Sequence, residues 1–146
     1  MKVFEFEVGK GFLLRLDYGK DLVRQIEEFL EEKGIHAAHI SAIGAVRSAV
    51  IGYYDQEKKE YVKKELMEPL EILSLSGNVS MKDSKPFCHI HVLLGKDGEV
   101  YGGHLFSAEV FACEVFVLPL SGEAPERAFD EQTGLFLWLE HHHHHH

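Results

Sequence analysis

The fold is decided by one stretch, Phe87 to His104, which reads FCHIHVLLGKDGEVYGGH. Asp97-Gly98 lies near its middle, and this dipeptide is typical of a two-residue hairpin, because glycine tolerates the positive φ of a type I′ turn. The residues on either side are mostly apolar, β-branched or aromatic, as in strands. We therefore predict a β-hairpin with strands over Phe87–Leu94 and Val100–Phe106.

Three histidines share this hairpin, and its register decides whether they meet. His89 and His91 are two positions apart on a strand, so both side chains point to one face. A two-residue turn at Asp97-Gly98 places His91 directly opposite His104, whereas a four-residue loop over 95–98 places His89 opposite His104. Both registers bring the three imidazoles to one face. A three-residue loop would send His104 to the other face.

Three converging neutral imidazoles are typical of a divalent-metal site with one coordination position left for water or substrate, as in catalytic zinc sites. We predict such a site at His89, His91 and His104, holding zinc or another divalent ion that imidazole suits. The alternative is that the histidines are polar residues of a packed sheet, hydrogen-bonded to their neighbours. Gly102 and Gly103 lack side chains and leave room for a close approach of backbone or ligand, so they are candidate cofactor-binding residues.

Two charged residues are candidates for catalytic roles around the metal. Arg47 is a candidate for steering an anionic ligand, and Glu71 is a candidate for proton transfer. Both are partly enclosed by apolar sequence, and the alternative interpretation is that they are structural polar groups. Cys88 and Cys113 do not form a disulfide framework. Because we see no export signal, we expect both to be reduced thiols.

The rest of the chain predicts one helix and a series of consecutive strands. A helix over Lys20–Lys33 has one apolar face and is followed by Gly34, a residue that commonly ends helices. The strand-like segments after it are Ile35–Val46, Ser48–Asp55, Tyr61–Met67, Leu70–Ser80, Phe87–Leu94, Val100–Phe106, Val110–Leu120 and Leu135–Leu139. Arg47 is a candidate for the bend between the first two segments. Strands that follow one another without alternating helices favour an α+β domain, with a mainly antiparallel sheet of about eight or nine strands and one principal helix.

Composition and charge limit the classes of function. Residues 139–146 end in six histidines and are interpreted as an expression tag, which leaves residues 1–138 as a single domain. The net charge is −9, or −8 when Glu140 of the tag is subtracted from the 24 acidic residues. Such an acidic chain lacks the overall basic footprint of a DNA-binding protein. No stretch approaches the roughly 18 apolar residues of a membrane span, and the acidic N-terminus does not resemble a signal peptide, so we predict a cytoplasmic protein.

Several motifs, taken in order, resemble the plant and prokaryote conserved (PPC) domain. They are Ile43-Gly44-Ala45-Val46, Glu71-Ile72-Leu73-Ser74-Leu75-Ser76-Gly77-Asn78, His89-Ile90-His91-Val92, Gly102-Gly103-His104-Leu105 and Thr133-Gly134-Leu135. The resemblance covers nearly the whole chain apart from the tag.

This resemblance implies an α+β fold, a homotrimer, and a metal bound by His89, His91 and His104. In plants the domain accompanies AT-hook motifs, and prokaryotic members that stand alone carry the label of predicted DNA-binding proteins. The first function that the resemblance implies is therefore a metal-binding PPC domain with a DNA-binding or regulatory role. This sequence has no AT-hook and no basic tail. The architecture is also similar to that of acetolactate decarboxylase, a zinc enzyme, which implies a second function: a metal-dependent lyase or decarboxylase acting on a small oxo- or hydroxy-acid.

Overall fold

A computed structural model of the protein describes residues 1–139, and within these it contains one helix and nine strands. The α+β class with a mainly antiparallel sheet is confirmed. Residues 140–146 of the predicted tag lie outside the described residues. The elements are β1 (Glu7–Val8), β2 (Phe12–Arg15), α1 (Leu22–Lys33), β3 (Ala38–Asp55), β4 (Glu60–Leu66), β5 (Leu70–Lys82), β6 (Lys85–Lys96), β7 (Glu99–Ser121), β8 (Arg127–Phe129) and β9 (Phe136–Trp138).

The helix α1 begins and ends where local chemistry satisfies its terminal backbone groups. At its N-terminus the Asp21 carboxylate accepts a hydrogen bond of 2.9 Å from the backbone N–H of Arg24. At its C-terminus Gly34 adopts a left-handed conformation with φ of 66°. Leu22, Ile26 and Leu30 are fully buried, and the helix packs against β6 and β7. The predicted apolar face is therefore confirmed, and the predicted helix was two residues too long at its start.

The main sheet closes on itself. Its strand order is β1-β7-β6-β5-β3-β4, and β7 also pairs with β3, so that β3, β5, β6 and β7 form a closed circuit of antiparallel pairs. The two predicted segments Ile35–Val46 and Ser48–Asp55 form one continuous strand of 18 residues, β3, and the bend predicted between them at Arg47 is an irregularity within that strand. Its pairing with β7 shifts register between Val46 and Ser48, and such an irregularity bends a strand without ending it.

The same holds for β7, which joins the predicted strands Val100–Phe106 and Val110–Leu120 into one strand of 23 residues. Both long strands take part in more than one pairing along their length, and both contribute buried residues to the hydrophobic core. Since nine strands and one 12-residue helix make up the described regular structure, residues 1–139 contain no helix long enough to cross a bilayer.

A small hairpin of β8 and β9 covers one side of the main sheet. It forms its own two-stranded sheet and is attached to β5 through Ser80, which is fully buried. The Ser80 hydroxyl oxygen accepts hydrogen bonds from Trp138 Nε1 at 2.9 Å and from Arg127 Nε at 3.1 Å. This hairpin forms one wall of the site described next.

Candidate metal centre

The β6–β7 hairpin has the register that a two-residue turn requires. Lys96 pairs with Glu99, and His91 pairs with His104. Both turn residues have positive φ, 51° at Asp97 and 81° at Gly98, as a type I′ turn demands. The prediction from the dipeptide is confirmed, and the alternative four-residue loop is excluded.

The three histidines converge as the register predicts. The ring centroids are 5.1 Å apart for His89 and His91, 5.6 Å for His89 and His104, and 6.0 Å for His91 and His104. One ring nitrogen of each residue lies within 4.8 Å of the corresponding nitrogens of the other two. Zinc–nitrogen bonds of about 2.0–2.1 Å in tetrahedral geometry bring ligand nitrogens to about 3.4 Å. Side-chain shifts of about 1 Å would therefore complete the coordination.

The protonation states suit a metal ligand. Burial lowers the pKa of His104 to about 4, helped by His89 and His91, and burial followed by the Arg127 charge lowers the pKa of His89. Both rings are consequently neutral at pH 7, the form that binds metals. His104 Nδ1 is also buried without a hydrogen-bond partner. A buried polar atom of this kind costs about 1–3 kcal/mol, and a metal ion or a ligand would remove that cost.

The histidines open into a cavity of about 780 Å³. Its walls come from β3, β4, the end of β5, β6, β7 and the β8–β9 hairpin, and they combine aromatic rings with a few polar groups. Tyr61 and Phe106 pack against His104, with ring centroids 5.1 and 4.6 Å from the imidazole. Partial burial raises the pKa of Tyr61, so its hydroxyl stays protonated. This volume is in the range of small-molecule sites.

Arg127 is a cavity residue that the sequence analysis missed. It begins β8, lies against the rings of Phe87 and Trp138 at 5.5 and 5.2 Å, and lines the same cavity as the histidines. Burial lowers its pKa. No sequence pattern could have indicated it, because Arg127 lies in a polar segment without periodicity and reaches the histidines only through the tertiary placement of the hairpin.

The structure does not bring the two candidate catalytic residues to the histidines. Arg47 lies on β3, pairs with Glu109 at 3.7 Å and packs over the Tyr18 ring. Glu71 lies on β5 opposite Ala45 and Gly95, with its side chain exposed. Neither lines the histidine cavity.

The two candidate glycines are held close to other parts of the sheet. A Cβ on Gly103 would lie 2.5 Å from the Gly52 carbonyl oxygen, and one on Gly102 would lie 2.8 Å from a methyl group of Leu93. Gly103 lines the cavity, whereas Gly102 does not. At both glycines the close approach is therefore made by neighbouring residues of the sheet, the Gly52 backbone and the Leu93 side chain. Cys88 is buried, as a core residue should be.

The motifs and the geometry agree with one family. A sequence model of the Plants and Prokaryotes Conserved (PCC) domain matches residues 3–121. The chain belongs to the PCC domain family. This is the family that the sequence motifs indicated under the name PPC. None of the curated proteins matches the sequence.

Solved structures share this fold to different extents. A plant- and prokaryote-conserved protein from Pyrococcus horikoshii is 43% identical, with a TM-score of 0.91 over 97% of this chain and 99% of its own. A proposed DNA-binding protein from Bacteroides thetaiotaomicron is 26% identical, with a TM-score of 0.81 over 91% and 96%. Acetolactate decarboxylase from Bacillus subtilis subspecies spizizenii shares the fold at 14% identity, with a TM-score of 0.55 over 84% of this chain and 56% of its own.

Proposed function

We propose that this PCC-domain protein binds a divalent metal ion, with zinc as the first candidate, through His89, His91 and His104, and that it binds a small molecule beside the metal. One observation carries the proposal: three imidazole nitrogens lie within 4.8 Å of one another at a cavity of about 780 Å³. A set of three nitrogen ligands leaves a position open to that cavity, as in catalytic zinc sites and unlike closed structural ones.

The residues around the site suit chemistry on a polar ligand. A bound divalent ion would supply a Lewis acid for a carbonyl or carboxylate oxygen. Tyr61 lies against His104 and holds a proton on its hydroxyl at neutral pH, so it is our candidate proton donor. Phe87 and Phe106 line the walls and limit the water around a bound ligand. These features support, as an alternative to binding alone, a lyase or decarboxylase reaction on a small oxo- or hydroxy-acid.

Metal content per chain tests this proposal. Tag-free protein incubated with zinc and then desalted should hold about one ion per chain by elemental analysis. His91→Ala removes one of three ligands and should abolish stoichiometric binding. His39→Ala is the matched control, because His39 is an exposed strand histidine outside the cavity. Absence of zinc from the wild type, or an equal zinc content in the wild type and His91→Ala, would show that the three histidines are only packed polar residues.

A homotrimer is part of the same proposal, and an apolar groove supports it. A cavity of about 560 Å³ lies between β2, β3, β5 and β7. Leu13, Ile43 and Leu73 line it, with exposed fractions of 83%, 59% and 52%. Large apolar side chains this exposed on one surface are typical of a protein interface. We place the contact between copies of the chain at this groove.

DNA association is a second candidate function. It is favoured by the Bacteroides thetaiotaomicron relative, which is itself proposed to bind DNA. The charge of this chain opposes it, because phosphate neutralisation by Lys and Arg supplies most of nonspecific DNA affinity and here 24 acidic residues outnumber 15 basic ones. The small-molecule site is therefore our first choice.

A further inference from the structure

The hydrogen bonds of Arg127 orient its guanidinium without neutralising it. Nε donates to Ser80 Oγ at 3.1 Å, one terminal nitrogen to the Phe136 carbonyl at 3.0 Å, and the other to Asn78 Oδ1 at 3.4 Å. All three acceptors are uncharged, and Arg127 forms no salt bridge within residues 1–139. A guanidinium has five N–H groups, so one N–H on each terminal nitrogen is left for a ligand.

The acceptors place the guanidinium on the histidine face of the sheet. Asn78 of β5 pairs directly with His89 of β6, and Ser80 pairs with Phe87. Directly paired residues of antiparallel strands share a face, with Cβ atoms about 5 Å apart. Arg127 is therefore bonded to the immediate cross-strand neighbour of one of the three histidines.

Two further cations line this cavity without a carboxylate partner in a salt bridge. Lys59 Nζ donates to the Glu131 carbonyl at 3.0 Å, and Lys82 Nζ lies 4.0 Å from the centre of the Phe136 ring. Among the described residues that line the cavity, Glu60 is the one acid. In a chain of net charge −9, a cavity lined by one carboxylate and by three cations that form no salt bridge in the described part of the chain is a local region of positive potential, and it would attract anions.

We propose that the cavity binds a small organic acid whose carboxylate is held by Arg127 and whose second oxygen group faces the three histidines. The second half of this proposal rests on the proposed metal site. Two N–H groups on one planar guanidinium match the two oxygens of a carboxylate. The rings of Phe87 and Trp138 hold the guanidinium plane, so little rotamer freedom is lost on binding.

Calorimetric titration of zinc-loaded, tag-free protein with malonate and succinate tests the proposal, with malonamide as the uncharged counterpart of malonate. We expect at least one of the dicarboxylates to bind the wild type and malonamide to give no signal. Arg127→Gln should weaken dicarboxylate binding about tenfold or more, as loss of charge-assisted hydrogen bonds implies. The dicarboxylate affinity of Arg127→Lys should fall between those of the wild type and Arg127→Gln. Lysine keeps the positive charge but cannot donate two parallel hydrogen bonds to one carboxylate. Arg47→Gln is the matched control, with the same charge change outside the cavity, and should bind as the wild type does.

Two further measurements separate anchoring from folding and from metal loss. Trp138→Phe removes the other hydrogen bond that attaches the hairpin to Ser80 but keeps the guanidinium and an aromatic ring at position 138 to pack against it, so it should retain most of the affinity. The proposal is overturned if Arg127→Gln keeps its zinc and binds the dicarboxylates with an affinity within twofold of that of the wild type. It is also overturned if the wild type binds inorganic phosphate more tightly than both dicarboxylates. If the wild type takes up no zinc, the metal site fails, and the carboxylate anchor survives only if the metal-free protein still binds malonate in an Arg127-dependent way.

Discussion

His91 lies directly opposite His104 across the β6–β7 hairpin, and their ring centroids are 6.0 Å apart. This pairing follows from two turn residues, Asp97 and Gly98, because turn length fixes the register and the register fixes the face of every side chain. His89 then joins them by strand periodicity alone. The candidate metal centre is thus encoded in 16 consecutive residues, 89–104, and its properties can be tested one by one.

Acid should destabilise the metal-free protein through His104. Its folded pKa of about 4 lies below the ordinary value of 6.5, so between these pH values the unfolded chain binds more protons, and stability falls as pH falls. If the whole pKa difference acts on stability, the free energy of unfolding falls by about 2 kcal/mol between pH 7 and pH 5. We expect about 1 kcal/mol, because His104 is only partly buried. Urea unfolding in the presence of a chelator measures this. His104→Gln should lose part of the pH dependence, and an unchanged dependence would contradict the assignment to His104.

Gly103→Ala should destabilise the protein more than Gly102→Ala. At Gly103 the new methyl group meets the Gly52 backbone, which belongs to a paired strand and cannot easily move. At Gly102 it meets the end of the Leu93 side chain, which can change rotamer. Overpacking costs about 1–3 kcal/mol where nothing yields, so we expect about 2 kcal/mol or more at Gly103 and less than about 1 kcal/mol at Gly102. Thermal or urea unfolding compares the two variants. Equal losses of stability would mean that the Gly52 backbone does move to accommodate the methyl group.

Local sequence signals predicted the parts of the site that lie on one hairpin. Alternation placed His89 and His91 on one face, and the Asp97-Gly98 turn placed His104 beside them. The helix could also be predicted from local sequence, because its caps are local: the Asp21 side chain caps the N-terminus, and Gly34 adopts the left-handed conformation that ends the helix. These features depend on interactions between residues close in sequence.

The features that sequence reasoning missed depend on contacts between distant parts of the chain. β3 and β7 are continuous because each strand bends through an irregularity and changes partners. The residue types indicated the bend at Arg47 but not that the strand continues through it. Arg127 reaches the histidine cavity only because Ser80 and Asn78, 47 and 49 positions earlier, accept its hydrogen bonds. Arg47 looked suited to the same role from sequence, and its exposed pairing with Glu109 could not be foreseen.

A lysine in the apolar groove should disrupt the proposed homotrimer. Light scattering after size exclusion should give three chains for the wild type. Ile43→Lys places a charge where 59% of an isoleucine is exposed within the groove, and a buried unpaired charge opposes association. Val62→Lys is the control, because Val62 is an exposed apolar residue of β4 that pairs with the other end of β3. A monomeric wild type would contradict the trimer, and a trimeric Ile43→Lys would place the contact elsewhere.

Binding to mixed-sequence duplex DNA should be weak and should not depend on the cations of the histidine cavity. The three cations that line the cavity, Lys59, Lys82 and Arg127, occupy a concave site suited to a small anion, whereas duplex binding needs cations spread along an exposed surface. Fluorescence anisotropy of a labelled duplex at 50 mM and 200 mM salt measures this, with Lys82→Gln as the cavity variant and Lys64→Gln on exposed β4 as its counterpart.

We expect no saturable DNA binding at 200 mM salt by the wild type or by either variant. Saturable binding that weakens steeply with salt and is reduced by Lys64→Gln would instead support the DNA function. In that case β4 would be part of the DNA-binding surface, and the small-molecule cavity would be a separate property of the same chain.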